Sequence, residues 1–131
     1  MRYELSTRQD SLEILQQCLD LPVIQNYFTR RADGTPKQVY VMQYPVKFPD
    51  DLAVTKFGQP VLFRSRPDIR SEKADVFLIF KAFSVAGDDA SVNFTLNSDY
   101  TTKPGIVEVT VQLHRSGPTW VVSQKQIRRL I

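Results

Sequence analysis

One cysteine, one histidine, one tryptophan and two methionines are spread through a chain of 131 residues. Cys18, standing alone, cannot close an internal disulfide, which excludes a disulfide-stapled mini-protein and leaves the redox compartment open. His114 is the single histidine, so any triad, proton shuttle or histidine-pair metal site has to run through it. One Cys and one His cannot supply a structural zinc site, and no residue pattern implies another metal or a cofactor. The longest apolar runs, such as Val76-Phe77-Leu78-Ile79-Phe80, fall far below the roughly 20 residues of a membrane-spanning helix. No apolar stretch follows Met1-Arg2-Tyr3-Glu4-Leu5-Ser6, as a signal peptide would require. The expected location is therefore cytoplasmic, with a periplasmic or secreted protein the alternative where a leader has been removed. Nucleophile elbows, phosphate loops, dinucleotide fingerprints and calcium loops are missing, and so are internal repeats and low-complexity tracts.

What is there is close to the globular average. With 42% hydrophobic and 24% charged residues the chain can fold, and its length suits one domain, 1–131, because two would leave neither a useful core. Leu12, Leu15 and Leu19, widened by Ile14, Cys18 and Leu21, form the stripe of a first helix, with Asp10 and Glu13 as its expected capping pair. Pro22 ends that helix or opens a shorter one carrying Ile24, Tyr27 and Phe28, and Asp33-Gly34 marks a turn. The period then changes to two. Residues 38–48 read as a strand bulged or placed at an edge by Pro45, 60–66 as a short strand, and 67–73 as a charged connection. The arrangement of 46–73 is not assigned. Two hairpins close the chain: 75–85 with 90–97 about Gly87-Asp88-Asp89, then 106–114 with a strand from Trp120 about Arg115-Ser116-Gly117-Pro118. Helices first and an antiparallel meander last define an α+β domain, with N-terminal helices packed on a curved, mainly antiparallel sheet.

The stretch Phe80-Lys81-Ala82-Phe83-Ser84-Val85-Ala86-Gly87-Asp88-Asp89-Ala90-Ser91-Val92-Asn93-Phe94 has a strand, a Gly-Asp turn and an Ala-x-Val-x-Phe arm. The segment Leu113-His114-Arg115-Ser116-Gly117-Pro118-Thr119-Trp120-Val121-Val122 has Gly-x-x-Trp leading into an apolar strand. Both resemble small bacterial members of the cystatin-like and nuclear transport factor 2-like α+β rolls, over about the last half of the chain by motif and elsewhere by element order. The resemblance implies a cone-like roll enclosing a pocket, used in that superfamily for isomerase or dehydratase chemistry, for ligand binding or for pairing with other proteins. It also implies dimerisation through the sheet, and a bacterial accessory or immunity-type role is one specific version.

The residues weigh these readings differently. His114, near a turn on the polar side of its strand, reads as a solvated surface group, and Asp88-Asp89 and Asp50-Asp51 read as turn or helix-start carboxylates in water. Cys18 lies in the apolar stripe and reads as core. An isomerase-type site needs a desolvated carboxylate and an oxyanion donor, and Asp75 with Tyr40 or Tyr44 is the available combination. Arg64, Arg66, Arg70, Lys125, Arg128 and Arg129 would form a basic face, from which weak nucleic-acid binding follows as an alternative. Strand 75–85 is apolar on both sides, so Phe77, Ile79, Phe83 and Val85 are expected to meet a second subunit or protein partner, another segment of this chain, or an apolar small ligand. The function expected is non-catalytic binding by a homodimer, with a small isomerase- or dehydratase-type pocket enzyme as the rival.

Overall fold

The computed structural model describes residues 3–28, 30–49, 51–98 and 105–130. Helix α1 (Tyr3–Leu19) and a 3-10 helix (Pro22–Tyr27) come first, followed by β1 (Val39–Met42), β2 (Thr55–Lys56), β3 (Gln59–Pro60) and β4 (Leu62–Arg64). A short helix α2 (Arg66–Ser71) then leads into β5 (Val76–Ala86), β6 (Asp89–Ser98), β7 (Gly105–Ser116) and β8 (Thr119–Arg129). The fold is α+β, built on a mixed six-stranded sheet in the order β4-β1-β5-β6-β7-β8. Strand β1 runs parallel to both β4 and β5, and the three pairings from β5 to β8 are antiparallel. Among the described residues no helix is long and apolar enough to cross a membrane.

Alternation on the long strands gives the sheet two unlike faces. Val76, Leu78 and Phe80 of β5, Val92, Phe94 and Leu96 of β6 and Val107, Val109 and Val111 of β7 are at most 1% exposed. They share one buried cluster with Ile14, Leu15, Cys18 and Leu19 of α1 and Ile24 of the 3-10 helix. On the other face Asn93 donates to Thr110 and Glu108, Gln112 donates to Ser91, and Arg128 donates to Glu108. That face is polar over β6, β7 and β8. The bonds from Arg128 and Asn93 hold the Glu108 carboxyl below the usual carboxylate range.

Four expectations need correction. The strand expected over 38–48 is β1, Val39–Met42 alone, an interior strand between β4 and β5, so Pro45 stands beyond it and neither bulges it nor marks an edge. Helix α1 begins at Tyr3, so Asp10 lies inside it and does not cap it; Glu13 instead accepts a bond from Gln9. Residues 67–73 are largely helical: the Ser65 hydroxyl accepts from the Asp68 amide as N-cap, Pro67 sits in the first turn, and Ile69 is buried. Finally, β5 does not keep one phase. Ile79 pairs with Thr95 and Phe80 with Phe94, but Ala82 pairs with Asn93, so Lys81 is an extra residue in a bulge. One inserted residue reverses which side chains face the core. Phe83 therefore stands edge-on to Phe48 at 5.2 Å and to Phe80 at 6.2 Å, on the side opposite Phe77 and Ile79. The polar loop expected at 98–104 lies outside the described residues beyond Ser98.

Among the described residues two charged groups are buried, and each has its partners. Asp10, 4% exposed, accepts from the Trp120 indole at 3.0 Å and from the Arg115 guanidinium at 3.1 Å, which fastens α1 to the β7–β8 hairpin. The guanidinium also lies 4.5 Å from the centre of the Trp120 ring. Gln17 of α1 adds a bond to the Trp120 carbonyl. Lys56, 9% exposed, donates to Gln25 and pairs with Asp20, with its ammonium over the rings of Phe28 and Phe57. In the β2–β3 turn Phe57 takes φ 56° and Gly58 φ 76°, the left-handed pair that a tight two-residue hairpin requires. Contacts of the Phe57 ring with Phe28 and Arg30 hold it there.

Candidate functional site

The outer face changes character at β1 and the first half of β5. There α2 and the segment after β1 stand over the sheet and leave a cleft of about 900 Å³. Its floor is apolar because the alternation that sends Val76, Leu78 and Phe80 to the core sends Phe77 and Ile79 outward. Met42 of β1 and Ile69 of α2, 7% and 5% exposed, complete the floor. The walls are of another kind. Arg66 and Arg70, one helical turn apart on α2, line the cleft together with Lys73 and the bulge residue Lys81. Four cations thus surround an apolar floor, and one carboxylate, Asp75, accompanies them.

The expected catalytic groups are placed as follows. Asp75 lines the cleft but its carboxylate is half exposed and lies 3.4 Å from the Lys37 ammonium. Tyr44 also lines the cleft and is 63% exposed. Tyr40, four residues earlier on β1, is half-buried with its hydroxyl towards Glu72. Burial first, then the charge and hydrogen bonding of Glu72, push its pKa above the usual tyrosine value, against the pull of Arg64. His114 is exposed and 3.0 Å from Asp89 at the far hairpin. Among the described residues no group of three His, Cys, Asp or Glu side chains gathers to hold a metal ion.

Of the expected apolar contacts, Phe77 and Ile79 are in the cleft, whereas Phe83 belongs to the core side and Val85, 38% exposed, sits near the β5–β6 turn. The basic residues do not form one face. Arg64 lies on the edge strand β4 and Arg66 and Arg70 on α2; Lys125, Arg128 and Arg129 lie on β8, the opposite edge strand, five strand spacings or about 24 Å from β4. Arg64 is taken up by Glu72 at 3.0 Å, and Arg128 by Glu108. Sequence reasoning grouped Lys73 with Arg64, Arg66 and Arg70 but missed Met42, Ile69 and Lys81 as cleft residues. The signal for the helix that carries Ile69 was present in Ser65-Arg66-Pro67-Asp68, a capping serine with a proline and an acid in the first turn.

Cys18 takes no part in chemistry here. It is fully buried, and desolvation pushes its thiol far above the ordinary cysteine value. Native protein at neutral pH is expected to resist iodoacetamide under conditions that alkylate the urea-unfolded chain fully. Alkylation of the folded protein at the same rate would contradict this burial.

No protein-family model matches the chain, and no curated protein or solved structure matches it.

Proposed function

We propose that this chain is a non-catalytic binding protein, a cystatin-like or nuclear transport factor 2-like roll whose N-terminal helices lie against a curved sheet. Its binding element is the cleft under α2, and its target is a small ligand with an apolar body. The observation that carries this reading is the cleft itself: about 900 Å³, within the range of small-molecule sites, floored by Met42, Ile69, Phe77 and Ile79 and open to solvent.

The other uses of these residues draw less support. A sheet-to-sheet homodimer would need a broad apolar face, but Phe83 points to the core side and the outer face beyond the cleft carries Asn93, Thr110 and Gln112. An isomerase or dehydratase would need a desolvated acid or base against its substrate, and Asp75 is half exposed and held by Lys37. Nucleic-acid binding would need a continuous track of free basic groups, and Arg64 and Arg128 are taken up by Glu72 and Glu108.

The test is a titration with a neutral apolar fluorophore, N-phenyl-1-naphthylamine. Saturable enhancement at one equivalent per chain is expected. Ile79→Glu, which places a charge on the floor, should weaken it by about tenfold or more with little change in melting temperature. Absence of saturable enhancement, or an unchanged titration in the variant, would contradict the proposal.

A further inference from the structure

The charges around the cleft narrow the ligand class, and this step rests on the binding reading above. Several arginines elsewhere are paired with carboxylates, Arg8 with Asp51 at 2.8 Å, Arg64 with Glu72, Arg115 with Asp10 and Asp88, and Arg128 with Glu108, while Arg30 and Arg31 are held by carbonyl and hydroxyl oxygens of the 30–36 turn. Among the described residues Arg66, Arg70, Lys73 and Lys81 have no carboxylate at salt-bridge distance, and all four line one cleft. The acid that shares the cleft with them, Asp75, is occupied by Lys37. Lys81 feels the Glu108 carboxylate from beyond salt-bridge distance. Four cations without a close carboxylate beside an apolar floor favour a ligand that carries its own negative charge on an apolar body. Arginine suits such a head group especially, because its planar fork can take two oxygens of a carboxylate or phosphate at once.

We infer that the cleft takes an amphipathic anion: an aliphatic or aryl chain lying on Phe77 and Ile79, with a carboxylate or phosphate monoester held by Arg66, Arg70, Lys73 and Lys81. The apolar part supplies area to bury, and the head group selects among ligands of equal size. Neither part suffices alone. A short anion such as acetate would leave the floor wet, and an alcohol of the same chain length would leave the cations without a partner.

The experiment is displacement of N-phenyl-1-naphthylamine from the wild-type protein by decanoate, decyl phosphate, decanol and decylammonium at low ionic strength. Decanoate or decyl phosphate should displace the fluorophore at about tenfold lower concentration than decanol, and decylammonium should be the weakest. That advantage should shrink as salt is added, since the cationic rim is exposed. The tighter of the two anions identifies the head group, and either order supports the inference. Arg70→Ala combined with Lys73→Ala, both on exposed positions, should remove most of the anion's advantage and leave decanol unchanged. Equal displacement by decanol and both anions would overturn the anionic class while the binding reading stood. A fluorophore that does not bind at all would overturn both.

Discussion

Replacing Asp10 by alanine is expected to cost about 3 kcal/mol of stability, because it strips the acceptor from two groups that cannot turn to water freely. The Trp120 indole N–H lies 3.0 Å from Asp10 Oδ1, and Trp120 is 1% exposed. The Arg115 guanidinium, stacked on that ring, would keep only its contact with exposed Asp88. Asp10→Asn keeps an oxygen for the indole but loses the charge opposite Arg115, so its loss should be roughly half as large. Urea unfolding followed by fluorescence reads this directly, since Trp120 is the lone tryptophan. A loss below about 1 kcal/mol for Asp10→Ala would mean that the bond joining α1 to the β7–β8 hairpin carries little of the fold. In a double-mutant cycle with Trp120→Phe, the two changes should be clearly non-additive.

Adjacent turns of β5 should respond in opposite ways. Phe80 is fully buried, tilted against Phe94 at 4.9 Å and edge-on to Phe48 at 5.4 Å, so Phe80→Ala should cost about 4 kcal/mol in transfer and cavity terms. Phe77 is half-buried on the cleft floor, and Phe77→Ala should cost only about 1 kcal/mol of stability while weakening binding of the neutral fluorophore. Phe83→Ala should follow Phe80 in kind, with a smaller loss and an unchanged cleft. Chemical denaturation together with the fluorophore titration separates the three. If Phe83→Ala impaired binding as strongly as Phe77→Ala, the bulge at Lys81 would not divide the strand between two faces as described.

These contrasts also mark where the sequence was legible. The two C-terminal hairpins follow from strict alternation, as in Val107, Val109 and Val111, punctuated by Gly87 and Gly117 at positive φ. Helix α1 follows from its apolar spacing, but its start does not. An aspartate before an apolar stripe signals a cap, and the same residue serves equally as a buried acceptor when Arg115 and Trp120 arrive from more than a hundred positions away. The bulge has no local signature, because Lys81 fits a polar position in an unbroken alternation as well as it fits an insertion. The placement of β1 between β4 and β5, parallel to both, depends on contacts that no local pattern encodes. The cleft therefore showed only in fragments. Phe77, Ile79, Arg66, Arg70, Asp75 and Tyr44 each drew notice under different headings, as an interface, a basic face and a catalytic pair. Folding α2 over β1 and β5 is what makes them neighbours.

The measurement that bears most directly on that account is amide chemical-shift mapping by NMR on isotope-labelled protein titrated with decanoate. The expected result is a saturable set of shifts centred on Met42, Ile69, Arg70, Phe77 and Ile79, with the β7–β8 hairpin nearly unmoved. Shifts centred on β8, or no shifts at concentrations well above those that displace the fluorophore, would contradict the assignment of the cleft as the functional site.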